Sequence, residues 1–248
     1  MGLQTGYRAP AIAAACLTII ALAMPRTAAA IVGRSDDGAK WQNQVVMVLS
    51  RDGNRAGFCT GVVLTRNIFL TAAHCVSNPS GTRLYLPGQP PLALRRIARH
   101  PAFHADAPRT RSRSIDLALL ETADALPADS TAPPFAEAAR YELRTAFEIA
   151  GFGVSREDDA KTSGTLRLGH LTLRAPLSSV LLWLDDPQGD TGACTGDSGG
   201  PVFTEGGKLA AIIAFAEGQG SRRCGKLTQA VLVAPHRGWI ERVLASWR

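Results

Sequence analysis

Three short stretches of this 248-residue chain put reactive side chains where core or turn residues would be ordinary. In FLTAAHC, His74 closes an apolar run and stands beside Cys75. In SIDLALL, Asp116 is the one charge in a segment that otherwise reads as a buried strand. In CTGDSGGP, Ser198 sits among glycines with Asp197 next to it. An imidazole, a carboxylate and a hydroxyl are the groups from which a chain can build an activated alcohol: a base to take the proton, an acid to orient the base, and an oxygen to attack. Taken singly, each has an ordinary reading. An isolated histidine is more often a core or surface residue, and Gly-rich serine loops are common turns.

The elements that must position these groups are short apolar runs: VVMVLS, GVVLT, IFLTAA, IDLALL, AFEIAGFG, LRLGHLTL, LAAIIAFA and TQAVLVA. Turn residues separate them, which predicts antiparallel strands joined by hairpins. Helical periodicity is concentrated at the end, where RGWIERVLASWR puts Trp239, Ile240, Val243 and Leu244 on one face. Between Glu121 and Glu142 the composition turns to Ala, Pro, Asp and Glu, and LPADSTAPPF does not sustain a strand. The boundary between two similar halves, about 31–130 and 131–248, falls there.

Residues 1–30 carry Arg8 and Arg26 but no acid, and the run from Ala11 to Met24 has Thr18 as its one polar break. That is the pattern of a signal peptide, ending in Ala28, Ala29 and Ala30 as a small-residue cleavage site. No later apolar run approaches the roughly twenty residues a membrane-spanning helix needs. A secreted or periplasmic protein, off the membrane once the leader is removed, is expected. The leader takes two of the 27 basic residues and none of the 21 acids, leaving 25 against 21, a net charge of +4. Arg95, Arg96, Arg99, Arg109, Arg111 and Arg113 cluster without interleaved aromatics, which reads as a solvated loop and not as a nucleic-acid surface. Four cysteines remain, Cys59, Cys75, Cys194 and Cys224, and an even number in an exported chain predicts disulfides. Of three pairings the local ones, Cys59 with Cys75 and Cys194 with Cys224, are favoured. Spacings of sixteen and thirty residues lack the close Cys pairs of structural zinc sites.

Together, TAAHC, DLALL and GDSGGP, with IVGR at Ile31, GFG at Gly151 to Gly153 and the Trp-Ile pair before the last helix, resemble the chymotrypsin/trypsin-like serine peptidases in their order His, Asp, Ser. The resemblance implies an all-β fold of two packed six-stranded antiparallel β-barrels with a C-terminal helix and the active site in the cleft between them. It implies His74 as general base, Asp116 as its orienting acid and Ser198 as nucleophile. The backbone amides of Gly196 and Ser198 would form the oxyanion hole, glycine at 196 allowing the chain to point both donors inward. A new amino terminus at Ile31 would fold in and pair with Asp197, so leader removal would itself activate the protein. GDSGG also satisfies the α/β-hydrolase elbow Gly-x-Ser-x-Gly, but that fold needs a strand before the serine, where DDPQGDTGACT stands.

The resemblance places the floor of the primary specificity pocket at Gly192 and its walls at Ala216 and Thr228. A small or medium apolar residue before the cut is expected, not Lys or Arg. Asp190 and Lys226 are close enough in sequence to alter this. Ala214 stands where relatives carry a serine that supports the triad acid. No Asp or Glu occurs between Cys75 and Asp106, so no calcium loop is expected, and no other metal or cofactor. His100, His104, His170 and His236 read as strand-edge, surface or turn residues. The expected partners are protein or peptide substrates and a protein inhibitor. The alternative function is a catalytically weak family member used as a protein-binding module.

Overall fold

The structure is a computed structural model that describes residues 1–2, 31–76, 78–110 and 112–248. The predicted leader, beyond its first two residues, and Arg111 lie outside the described residues. After the short strand β1 (Asp36–Asp37) come β2 (Val45–Asp52), β3 (Arg55–Thr65), β4 (Ile68–Thr71), β5 (Thr82–Tyr85), β6 (Leu92–Arg99) and β7 (Ala118–Thr122). Strands β2 to β7 close into a barrel in the order β2-β3-β4-β7-β6-β5. A second set follows: β8 (Ala146–Gly151), β9 (Arg167–Leu173), β10 (Leu181–Asp185), β11 (Pro201–Thr204), β12 (Leu209–Glu217) and β13 (Leu227–Leu232). These also form a ring, because β8 pairs antiparallel with both β9 and β11, and β1 pairs with the start of β9. Helix α1 (Ala107–Thr110) is a single turn, and α2 (Arg237–Ser246) ends the chain. The fold is therefore the expected one: all-β, two six-stranded antiparallel barrels and a C-terminal helix.

Strand periodicity explains why so many runs are apolar throughout. In β2, Val46 and Val48 point into the first barrel while Val45 and Met47 join a second cluster outside it. Phe69 points inward and Ile68 and Leu70 outward in β4. The second barrel does the same, with Ile213 inside and Ile212 outside, and Leu232 inside and Val231 outside. The outward rows of both barrels meet in one cluster with Phe152, Phe203, Trp239 and Ile240. Strands that face a barrel interior on one side and the seam between barrels on the other bury both faces, so the usual apolar–polar alternation is lost. The connecting segment changes hosts as it crosses: Thr131 N–H donates to Asn43 O, whereas Pro134 O accepts from Leu209 N–H at 2.8 Å.

The arginine-rich segment differs from expectation. Arg95, Arg96 and Arg99 lie in β6 and not in a solvated loop. Glu121 on the neighbouring β7 is 3% exposed and needs a cation, which Arg96 supplies through Nη2 to Oε1 at 2.9 Å and Nε to Oε2 at 2.5 Å. Arg96 also donates to Trp247 O at 2.9 Å, tying the end of α2 to the first barrel. A buried carboxylate, invisible in a local reading of the arginines, recruits one of them.

At the other end of α2, the His236 ring lies 4.7 Å from that of His100, which in turn lies 4.9 Å from Trp239. Burial lowers both histidines, and with His100 and Arg113 adding repulsion His236 is pushed down to about 4. Because the ordinary value is 6.5, the unfolded chain binds this proton first as pH falls, and stability is lost between about 6.5 and about 4. Replacing His236 with Gln removes this acid-sensitive contribution, so denaturation midpoints of H236Q should decline less than those of the parent over that window.

Candidate active site

His74 sits in a single turn, Ala73–Cys75, directly after β4, where buried Ala73 and Cys75 anchor both sides of it. Its Nδ1 lies 2.6 Å from Asp116 Oδ2, and its backbone N–H donates to Asp116 Oδ1 at 2.9 Å. Asp116 lies between buried Ile115 and Leu117 in the approach to β7, which pairs with β4. The strand pairing is what brings together residues 42 positions apart. Among the described residues, His74 alone holds both oxygens of that carboxylate; Ala214 offers no hydroxyl to it.

Ser198 comes from the second barrel, on the loop before β11. Cys75 Sγ lies 3.7 Å from Ser198 O and 3.7 Å from His74 Nε2, so the histidine edge and the serine loop meet at the same sulfur. Among the hydrogen bonds of the described residues, none joins Ser198 Oγ to His74. None uses the backbone N–H of Gly196 or Ser198 either, leaving two donors free beside the serine. Gly196 has φ +99°, a region that favours glycine, and a Cβ there would stand 2.1 Å from Phe58 Cε2.

Asp197 is fully buried, its Oδ1 accepting from Gly153 N–H at 2.8 Å and its Oδ2 from Cys194 N–H at 2.9 Å. Burial raises its pKa to about 7 against the pull of those two amides. The GFG motif has a spatial reason: a Cβ on Gly151 would lie 2.1 Å from Asp197 Oδ1, and one on Gly153 2.5 Å from both carboxylate oxygens. Ile31 is already seated, its side chain buried with Phe147, Ile149 and Leu171. Val32 exchanges both backbone hydrogen bonds with Gly192, at 3.1 and 3.2 Å. In the full-length chain, however, the Ile31 nitrogen is a peptide amide and bears no charge. The residue holds φ +63°, a conformation that is costly for a β-branched side chain.

At the candidate pocket floor, a Cβ on Gly192 would lie 3.1 Å from Gly225 Cα. Gly225, which the sequence does not single out, abuts Gly192 together with Thr228, whose Oγ1 would lie 3.4 Å from that Cβ. Thr228 pairs with Ala216 across β12 and β13, is fully buried, and accepts from Ala193 N–H at 3.0 Å. Asp190 pairs with Arg222 at 2.5 Å and, with Gln219, Cys224 and Lys226, lines a cavity of about 210 Å3 whose walls do not include Gly192. Disulfides join Cys59 to Cys75 and Cys194 to Cys224. The ligand atoms of Cys59, His74 and Cys75 lie within 4.8 Å of one another, but both sulfurs are spent in the disulfide and cannot hold a metal.

A family model described as Trypsin matches residues 30–240. The chain belongs to the trypsin family. It is a serine endopeptidase of that family, and its substrates are proteins or peptides. Granzyme M of Rattus norvegicus is 27% identical over 228 residues, covering 81% of this chain and 84% of the relative. Chymotrypsin-like elastase family member 1 of Homo sapiens is 26% identical over 258 residues, covering 90% and 95%. Two solved structures share the fold at 19% identity: the mouse brain serine protease neuropsin, with TM-score 0.67 over 82% of this chain and 95% of its own, and the scabies mite inactivated protease paralogue S-I1, with TM-score 0.70 over 87% and 99%. No helix among the described residues is long and apolar enough to cross a membrane.

The space that the two glycines leave for Asp197 gives a direct test. Gly153→Ala should destabilise the protein by about 1–3 kcal/mol, the usual range for overpacking a tight interior. Urea unfolding should show a lower midpoint with an unchanged slope; an unaltered midpoint would mean that the carboxylate does not occupy this space.

Proposed function

We propose that this trypsin-family protein hydrolyses peptide bonds through Ser198, His74 and Asp116 and an acyl-enzyme. Ser198 Oγ attacks the scissile carbonyl carbon as His74 Nε2 takes its proton. The resulting oxyanion is held by the N–H groups of Gly196 and Ser198. Collapse expels the amine, which receives the proton from His74, and water then releases the acid by the same steps. Asp116 keeps Nδ1 protonated and stabilises the imidazolium. The observation that carries the reading is the 2.6 Å pairing of His74 with Asp116 at a seam where the serine loop arrives from the other barrel. The fold does not carry it, since an inactivated protease paralogue shares that fold.

Activation follows from the charge balance around Asp197. Cutting the Ala30–Ile31 bond creates an ammonium at a residue whose side chain is already seated, and removes the preceding carbonyl that defines its strained φ. The new charge pairs with Asp197 and holds the segment between Cys194 and Ser198 in the shape that serves the hydroxyl. Leader removal performs this cut and delivers a secreted or periplasmic enzyme, free of the membrane and open to a protein inhibitor. The uncharged floor of Gly192 and Gly225 beside Ala216 selects a small or medium apolar residue before the cut. A peptide-library digest checks that preference, and dominant cleavage after Lys or Arg would contradict it.

Protein beginning at Ile31 should be labelled by a serine-directed sulfonyl fluoride, and Ser198→Ala should abolish the label. Asp116→Asn should lower turnover by roughly four orders of magnitude, since the histidine then holds the wrong tautomer. A folded protein starting at Ile31 that takes no label supports the binding-module alternative. Full activity with the leader's last residues still attached contradicts activation by this cut.

A further inference from the structure

Thr60, a polar residue in the apolar run of β3, is fully buried in the seam between the barrels. Its backbone N–H donates to Ser198 O at 2.8 Å, and its hydroxyl donates to Gly196 O at 2.8 Å. The same hydroxyl accepts from Phe152 N–H at 3.1 Å, and Thr71 Oγ1 donates to Thr60 O at 2.7 Å. One residue of the first barrel therefore holds the carbonyls of both second-barrel residues whose N–H groups stand free beside the nucleophile.

This matters most for Gly196. A glycine has no Cβ to restrict its backbone, so external bonds must set its rotation. Anchoring its carbonyl fixes the peptide plane on one side of the Gly196 Cα, and the φ of +99° relates the N–H on the other side to that fixed plane. We propose that Thr60 is a positioning residue for the oxyanion hole, acting through its hydroxyl; this rests on the reading of Ser198 as nucleophile. A donor that binds developing negative charge must be aimed before the reaction, because reorienting it during the reaction forfeits the stabilisation. The hydroxyl touches neither the substrate nor Ser198 Oγ, so its loss appears in the chemical step and not in ground-state binding.

The test uses processed protein starting at Ile31 and 4-nitrophenyl acetate, a small ester that makes no demand on the specificity pocket. Thr60→Val keeps the shape and removes the hydroxyl. It should lower kcat about tenfold or more, a fraction of the loss on removing an oxyanion donor outright, with KM within about twofold of the parent. Thr60→Ser restores the hydroxyl and should recover kcat to within about threefold. If the valine variant does not fold, Thr60→Ala keeps the backbone amide and should show the same drop. The proposal is overturned if the hydroxyl-free variant turns over at the parental rate, if the serine variant is equally impaired, or if only KM changes. A folded, processed parent that neither turns over the ester nor takes the fluoride label overturns the nucleophile reading itself, and this proposal with it. Parental activity that is indifferent to Thr60 overturns this proposal alone.

Discussion

A carboxylate with no cation paired to it among the described residues, in a dry interior, is the constraint around which this molecule is arranged. Taking an ion of that size out of water costs several kcal/mol even after the surroundings relax. Two backbone amides offset part of the cost for Asp197, yet burial still raises its pKa to about 7. The residue lies between Gly196 and Ser198, so whatever satisfies its charge also shapes the candidate oxyanion site. The proposed activation supplies that cation late: Ile31 is buried in the second barrel and Val32 is bonded to Gly192, while the Ile31 nitrogen gains a charge only when the chain is cut before it.

The barrels divide the work. The first supplies His74 and Asp116 through the pairing of β4 with β7, and the second supplies the loop carrying Gly196, Asp197 and Ser198. Neither half is sufficient for the proposed chemistry. The seam between them has both an apolar component, the shared outer cluster, and a polar one, centred on Thr60. Apolar burial holds the barrels together without specifying their relative register closely, whereas hydrogen bonds at 2.8 Å have direction and fix which atoms meet.

Much of this was legible in the chain because strands buried on both faces are continuous apolar runs, and because the proposed catalytic side chains His74 and Asp116 interrupt such runs conspicuously. The strands that escaped notice have physical reasons. Strand β5 is four residues long, β6 is broken by arginines, β10 is short, and β11 opens on Pro201 directly after the serine loop. The role of Arg96 was hidden because its partner Glu121 lies on another strand. Gly225 was missed because it lies in the two-residue link between Cys224 and β13, and it meets Gly192 together with Thr228. Thr60 had a local signal, a hydroxyl in an apolar strand next to a cysteine, but its partners Phe152, Gly196 and Ser198 are separated from it by 92 to 138 positions and become neighbours only when both barrels are closed.

The most direct test of the account is the protonation of Asp197 itself, followed by carbon-13 NMR of its labelled carboxyl group in the leader-bearing chain and in protein that starts at Ile31. The carboxyl should titrate near neutrality in the first, at about 7, and fall well below that value once the new ammonium is in place. A carboxyl that titrates identically in both forms would contradict the account, because the amino terminus would then have no charge to satisfy.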